Sequence, residues 1–559
     1  MKPYLLISLS PIHMHTHTGN IVDLVSGEIF WGTVSVDADR IVSVNRLEKE
    51  RKGESYLLPG FVDSHVHIES SLLVPSAFAR LAVVHGTVAT ISDPHEIANV
   101  CGMDGIRFMI DDAAKVPFKF HFGAPSCVPA TTYETAGATL SVEDVDSLLQ
   151  MPEIYYLSEM MNFPGVLHGD PDVLAKLALA KKYNKPVDGH APGLRGKDAQ
   201  SYIAAGIQTD HECFTPEEAL DKLNGGMLIL IREGSAARNF DALAPLLHEY
   251  ADRMMLCSDD KHPDSLLEGH INQLCARAIA LGIDRMKVLR AACLNPVRHY
   301  RMQVGLLQAG DFADFIRVNN LIDFEVLETH INGQLCATSG CSLIQPTATT
   351  VINQFKPYPV FPNDLTVPYS GQETIPVIEA LDGQLITHRK DIRPVVENGQ
   401  IIADPTSDLL KIVVVNRYHQ APVAVSFIQN IGIKSGALAS SVAHDSHNIV
   451  AVGADDEAIA KAVGLIMAHR GGLSAVFEEE THILPLPVAG LMSDLDGAVV
   501  AERYTQLDTF VKQTMGSPLR APFMTLSFMA LLVIPQLKLS DRGLFNGNTF
   551  TWVDGWQVG

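Results

Sequence analysis

Two histidines one residue apart, His65 and His67, close an apolar run that starts near residue 57. Such a run reads as a buried strand. Side chains at i and i+2 of a strand share a face, so both imidazoles can aim into one cavity. Imidazole nitrogens suit zinc, iron or manganese. A lone His-x-His pair also arises by chance on surface strands. Later strand candidates, however, end in further ligand types: Glu159, His190, His211 and Asp259, the last followed by Asp260. Four imidazoles and two carboxylates at one mouth can hold two divalent metal ions. A carboxylate such as Glu159 can bridge them, and two ions lower the pKa of a shared water and hold it for attack. Asp259 beside that water can take its proton and return it to a leaving group. Singly, each of these residues is as well explained as a surface or capping group, and Asp259 and Asp260 can cap the helix that follows. The joint pattern at successive strand ends favours the metal site.

The elements that must position them are legible as alternating patterns. Apolar runs fall at 60–63, 87–92, 118–122, 154–158, 186–188, 207–209, 227–231 and 254–257, with amphipathic segments at 171–183, 199–205, 216–223 and 271–281. Strand–helix alternation implies a parallel sheet. Eight such units in about 240 residues have the size of a (β/α)₈ barrel, whose chemistry sits on the face where the strands end. The predicted fold is α/β: a (β/α)₈ TIM-like barrel over 59–302, flanked by a small β-sandwich-like domain built from both sides of it (1–58 plus 303–350). A Pro-rich linker (351–370) leads to a separate C-terminal α+β domain (371–559), with strand patterns at 410–415 and 423–427 and a helical pattern at 455–469.

The chain has 559 residues, which suits two to four domains, and 47% are hydrophobic. Its 42 basic and 64 acidic residues give a net charge of −22. That balance argues against nucleic acid or an anionic membrane as partner and favours a small-molecule substrate. Eight scattered cysteines read as free thiols. The N terminus lacks a signal-peptide pattern and the apolar stretch 528–534 is too short to span a bilayer, so a cytoplasmic protein is expected. Size and apolar content suggest a homo-oligomer, a dimer. His13, His15 and His17 read as a disordered or edge segment rather than a metal site. Nucleophile-elbow, phosphate-loop and His-Glu-x-x-His motifs are absent from the sequence. His67-Ile68-Glu69 has the His-x-Glu form of cytidine-type deaminases, but the Pro-Cys-x-x-Cys partner is missing.

Several segments are more specific. They are Leu58-Pro59-Gly60-Phe61-Val62-Asp63-Ser64-His65-Val66-His67-Ile68-Glu69-Ser70-Ser71, Ser92-Asp93-Pro94-His95-Glu96-Ile97-Ala98-Asn99, Met160-Met161-Asn162-Phe163-Pro164-Gly165-Val166, Asp188-Gly189-His190-Ala191-Pro192, Thr209-Asp210-His211-Glu212 and Ser258-Asp259-Asp260-Lys261-His262-Pro263, with Ala443-His444-Asp445-Ser446-His447-Asn448 near the C terminus. On these the chain resembles the bacterial adenine deaminases of the amidohydrolase superfamily, from about residue 20 to 559. The resemblance implies conversion of adenine and water to hypoxanthine and ammonia, a purine-salvage reaction. It implies two divalent metal ions, manganese or iron and sometimes zinc, with a bridging hydroxide attacking C6. His65 and His67 would bind one ion with Asp259, His190 and His211 the other, and Glu159 would bridge. Asp259 would carry the proton to the departing amine.

Glu212 is the candidate to protonate N1, provided it lies past the strand end, since neighbours on a strand face opposite ways. His95 and Glu96 are candidate base contacts, with helix capping as the alternative; Arg232 and Ser235 are candidates too, with solvent exposure as theirs. His444, Asp445 and His447 either reach the barrel mouth as a lid or hold the domain interface. The short, His-rich N terminus departs from the family and predicts an irregular first strand. Two competing functions remain: a hydantoinase- or dihydroorotase-like cyclic amide hydrolase, many of which place a modified lysine where Glu159 stands, and a non-catalytic metal- or purine-binding protein, which would be expected to lack Asp259.

Overall fold

The computed structural model describes residues 14–558. Strands β1 (His15–Asp23), β2 (Glu28–Asp37), β3 (Arg40–Lys49) and β4 (Tyr56–Pro59) come before the barrel. The barrel is formed by β5 (Phe61–Val66), β6 (Thr87–Ser92), β7 (Lys119–Ala124), β8 (Ile154–Met160), β9 (Val187–Gly189), β10 (Thr209–Asp210), β11 (Leu228–Arg232) and β12 (Met254–Cys257). After it come β13 (Phe315–Val318), β14 (Val326–Ile331), β15 (Gln334–Thr338) and β16 (Cys341–Ser342). The flanking strands form one eight-stranded sheet in the order β16-β15-β14-β13-β4-β1-β2-β3, so the small β domain is indeed assembled from both sides of the barrel.

Neighbouring barrel strands pair in parallel from β5 to β9 and from β10 to β12. One seam is bridged by Gln208 N donating to Val187 O at 2.9 Å. The other is closed by Asp259 N donating to His65 O at 2.9 Å and His67 N to Asp259 O at 3.3 Å. Every residue of β6 and of β12 is buried, the near-continuous burial required of parallel strands covered on both faces. Gly60, between β4 and β5, has a close-approach role: a Cβ there would lie 2.3 Å from Val88 Cγ1, so only glycine lets the chain pass from the flanking sheet into the barrel.

Helices between the strands start on side-chain caps. Asp170, Thr215 and Asp284 each accept from backbone N–H groups of the first turn, and Pro171 and Pro216 occupy positions where a missing N–H costs nothing. The strand limits predicted at 118–122, 186–188 and 207–209 sit one or two residues too early. The helix His95–Ala113 carried no clear apolar period in the sequence; Gly102, at φ 58°, interrupts it. The first strand is not irregular as expected: β1 pairs with β2 over nine consecutive positions. His15 and His17 belong to it, with His17 packed on Phe315 and His330, while His13 lies outside the described residues.

The C-terminal domain is built on a second eight-stranded sheet that includes Leu410–Val415, Ala424–Gln429 and Ala437–Ser440, with the helix Asp456–His469 packed on it. The Pro-rich stretch before it is tethered rather than free: Lys356 N donates to Arg417 O and Ala489 N to Ile352 O. Ser493 N donates to Leu72 O at 2.8 Å, fastening this domain beside the barrel mouth. Among the described residues no helix is long and apolar enough to cross a membrane, and all eight cysteines are free.

Candidate metal centre

Buried side chains from five strand ends meet at the barrel mouth. His65 Nε2 and His67 Nε2 lie 3.2 Å apart, and Asp259 Oδ1 is 3.5 Å from the first and 3.3 Å from the second. Asp259 takes φ 56°, a left-handed conformation that turns its carboxylate back into the mouth and that aspartate tolerates better than most residues. Glu159 reaches both sides of the cluster. Its Oε1 is 3.4 Å from His67 Nε2, while Oε2 accepts from His190 Nδ1 at 2.8 Å and lies 3.2 Å from His211 Nε2. Ligand atoms of His65, His67 and Asp259 form one tight group and those of His190, His211 and Glu212 another; Glu159 also groups with His65 and His211.

Glu212 faces this cluster because β10 stops at Asp210. Asp210 Oδ1 accepts from Glu212 N at 2.7 Å and so folds the chain past the strand end, which lets adjacent residues His211 and Glu212 point the same way. Glu212 Oε1 lies 3.6 Å from His190 Nδ1 and 3.5 Å from His211 Nε2. Lys222 holds the turn from below, donating to Asp210 Oδ2 at 2.7 Å, Glu218 Oε1 at 2.8 Å and Ala191 O at 2.8 Å.

Arg232 is buried, not solvent-exposed. Its guanidinium donates to both oxygens of Glu212 and, at 2.6 Å, to Asp259 Oδ2, so it ties two carboxylates together, and it lines the cavity. Burial alone would raise the Asp259 carboxyl; Arg232, with hydrogen bonds from His65 and His67, holds it well below the usual range. Burial likewise opposes ionisation of Glu159, and the charges of His190 and His211 with their hydrogen bonds overcome it. Both carboxylates therefore stay ionised, as ligands must.

Ser235 does not belong to the site, contrary to the expectation. Its hydroxyl accepts from His262 N at 2.8 Å and its own N–H donates to Asp260 O at 2.8 Å, so it shapes the loop after β12. His95 and Glu96 do line the mouth, but both Glu96 oxygens are taken by His444 Nδ1 and His447 Nε2 of the C-terminal domain. Both histidines hold the interface, and His444 also lines the mouth. Asp63 joins the site's framework without being a candidate from its residue type alone. It continues the alternation 63, 65, 67 and accepts from Ser258 N at 2.9 Å and from His270 Nε2 at 2.8 Å, locking β5 to β12.

The C-terminal domain also supplies an apolar wall. Leu385, Phe528 and Leu531 line the cavity above the ligand cluster. Lys538, fully buried, ties two of them by donating to Leu385 O at 2.6 Å and Phe528 O at 2.9 Å. Burial drops its pKa to about 7. The unfolded value is ~10.4, so between these limits the unfolded chain binds more protons. The stability that Lys538 contributes therefore grows as pH rises from 7 and is smallest below 7. Replacing Lys538 with Met is expected to abolish that increment, visible as a smaller gain in denaturation midpoint from pH 7 to 9 than in the unsubstituted protein.

The donor set fits a pair of divalent ions. Imidazole nitrogens and carboxylate oxygens of buried residues crowd together at the mouth in groups of three or more, and the donors are nitrogen and oxygen without thiolate. Residues 56–336 match the amidohydrolase family and residues 384–551 the adenine deaminase C-terminal domain. A protein from Salinibacter ruber named adenine deaminase is 55% identical, with 96% of this chain and 98% of the relative covered. The chain belongs to the adenine deaminase family. Relatives of the same name from Sulfurovum sp. (54% identical, 96% and 98% covered) and Methanosarcina barkeri (52%, 97% and 99%) match over the same extent. The family assignment expected from the six barrel segments and the C-terminal motif is thereby borne out, as is the barrel with its flanking β domain and separate C-terminal domain.

Proposed function

We propose that this adenine deaminase family member hydrolyses adenine to hypoxanthine and ammonia at the barrel mouth. The observation that carries the reading is the full-length match across both domains to proteins of that name, joined to a mouth where Glu159 stands between two groups of ligand atoms. His65, His67 and Asp259 would hold one ion, His190 and His211 the other, and Glu159 would bridge them. Manganese or iron is expected, and zinc is compatible with the same donors. When bound, such a pair acidifies the water that attacks C6. Asp259 accepts the proton of that water and delivers it to the C6 amino group as the carbon–nitrogen bond breaks, so ammonia leaves and the oxygen stays on C6. Glu212, held by Arg232, would hand N1 a proton during attack and take one back as the C6 hydroxyl becomes the oxo group, so the two protons of water end on ammonia and on Glu212. The apolar wall of Leu385, Phe528 and Leu531 excludes bulk water from these transfers.

The substrate class is tested by offering the metal-loaded protein adenine, hydantoin and dihydroorotate in parallel and separating the products. Hypoxanthine with stoichiometric ammonia, and no opening of the cyclic amides, is the expected result. Ring opening of a cyclic amide with inert adenine would transfer the site to the competing hydrolase reading.

A further inference from the structure

Asp445 and His444 sit on the loop 441–448 of the C-terminal domain, far in sequence from every ligand candidate of the barrel. Both are buried and both line the cavity. Asp445 Oδ2 and His444 Nε2 have no hydrogen-bond partner. A buried carboxylate oxygen without a donor costs about 1–3 kcal/mol or more, which points to a donor that arrives with a ligand. The loop is rigidly placed. Asn448 Nδ2 donates to Thr135 O at 2.8 Å, Tyr418 Oη to Ser446 O at 2.6 Å, and His444 and His447 clamp Glu96 of the barrel.

Its position relative to the ligand cluster is also defined. The imidazole of His95 spans the gap, with Nδ1 at 3.4 Å from Glu159 Oε1 and Nε2 at 3.7 Å from Asp445 Oδ1. Asp445 therefore stands one aromatic ring away from the bridging carboxylate. In free adenine the C6 amino group and the five-membered ring's N–H lie at opposite ends of the bicycle. With C6 at the ligand cluster, the far end of the base meets Asp445.

We infer that Asp445 is a specificity-determining residue that accepts the imidazole-ring N–H of the free base and so rejects purines substituted at N9. The inference rests on the adenine reading proposed above. A nucleoside or a 9-alkyl purine has no hydrogen at N9, and would leave the carboxylate buried and unpaired. Sites built to bond a substrate N–H or O–H reject analogues lacking it by as much as about 10⁴-fold.

The test compares adenine and 9-methyladenine, as substrates and as competitors, on the metal-loaded protein and on its Asp445→Ala and Asp445→Asn variants. Asp445→Ala is expected to raise KM for adenine about tenfold or more with a smaller change in kcat. The ratio of adenine KM to the 9-methyladenine inhibition constant should rise at least tenfold. Asp445→Asn, which keeps shape and one acceptor oxygen, should shift both in the same direction by less, and carries the test if the alanine variant does not fold. An unchanged adenine KM, or a raised KM with that ratio unchanged, overturns the inference, because a merely structural role would not alter selectivity. Failure of the unsubstituted protein to deaminate adenine would instead overturn the reading beneath it.

Discussion

Asp259→Asn is expected to lower kcat for adenine by about 10⁴-fold, the upper end of what a positioned acid–base group contributes. The substitution keeps size and one acceptor oxygen, and replaces the other, which faces either the histidine pair or Arg232, with an amide nitrogen. What it removes is the ability to take a proton. Arg232 and the two histidines hold Asp259 well below the usual carboxylate range, yet its place between them and the cavity lets it accept a proton transiently and give it up at once. An interaction made only in the transition state lowers kcat and kcat/KM together, so KM should move little. Hypoxanthine formation and metal content measured on one sample check this. A loss below tenfold with metal retained would remove Asp259 from proton transfer.

Glu159→Ala is the second large effect, and it acts one step earlier. Glu159 is the anion shared by His67, His95, His190 and His211, at 3.4, 3.4, 2.8 and 3.2 Å. Without it the two sides of the cluster lose the one carboxylate that reaches both, and Asp259 beside His67 and Glu212 beside His190 and His211 remain. Metal content is expected to fall below two ions per chain and turnover to the background of the assay. In the unsubstituted protein a metal at about 100 times its Kd should stabilise the fold by about 2.7 kcal/mol. The variant should show little of that gain, which thermal denaturation with and without manganese reads directly. A variant that still binds two ions and keeps its gain would displace Glu159 from the bridging position.

The barrel was legible because parallel strands announce themselves as short buried runs between amphipathic helices, and because His65, His67, Glu159, His190, His211 and Asp259 each stand just past such a run. What stayed hidden depended on distance in sequence. Ser235 follows a strand end as the other candidates do, yet a backbone turn uses its hydroxyl, and residue type cannot reveal that. Arg232 read equally as exposed; only the fold shows that Glu212 and Asp259 converge on it. The alternation that exposed His65 and His67 included Asp63 too, but its partners Ser258 and His270 lie some two hundred residues away. The union of Glu96 with His444 and His447 crosses about 350 residues and two domains, beyond any local pattern.

The most direct measurement is a titration of metal-depleted protein with manganese while ammonia release from adenine is followed. The account predicts negligible turnover without metal, a rise that levels off at two ions per chain, and hypoxanthine equal to the ammonia formed. Full activity in the depleted protein, or two bound ions with no deamination of adenine, would contradict it.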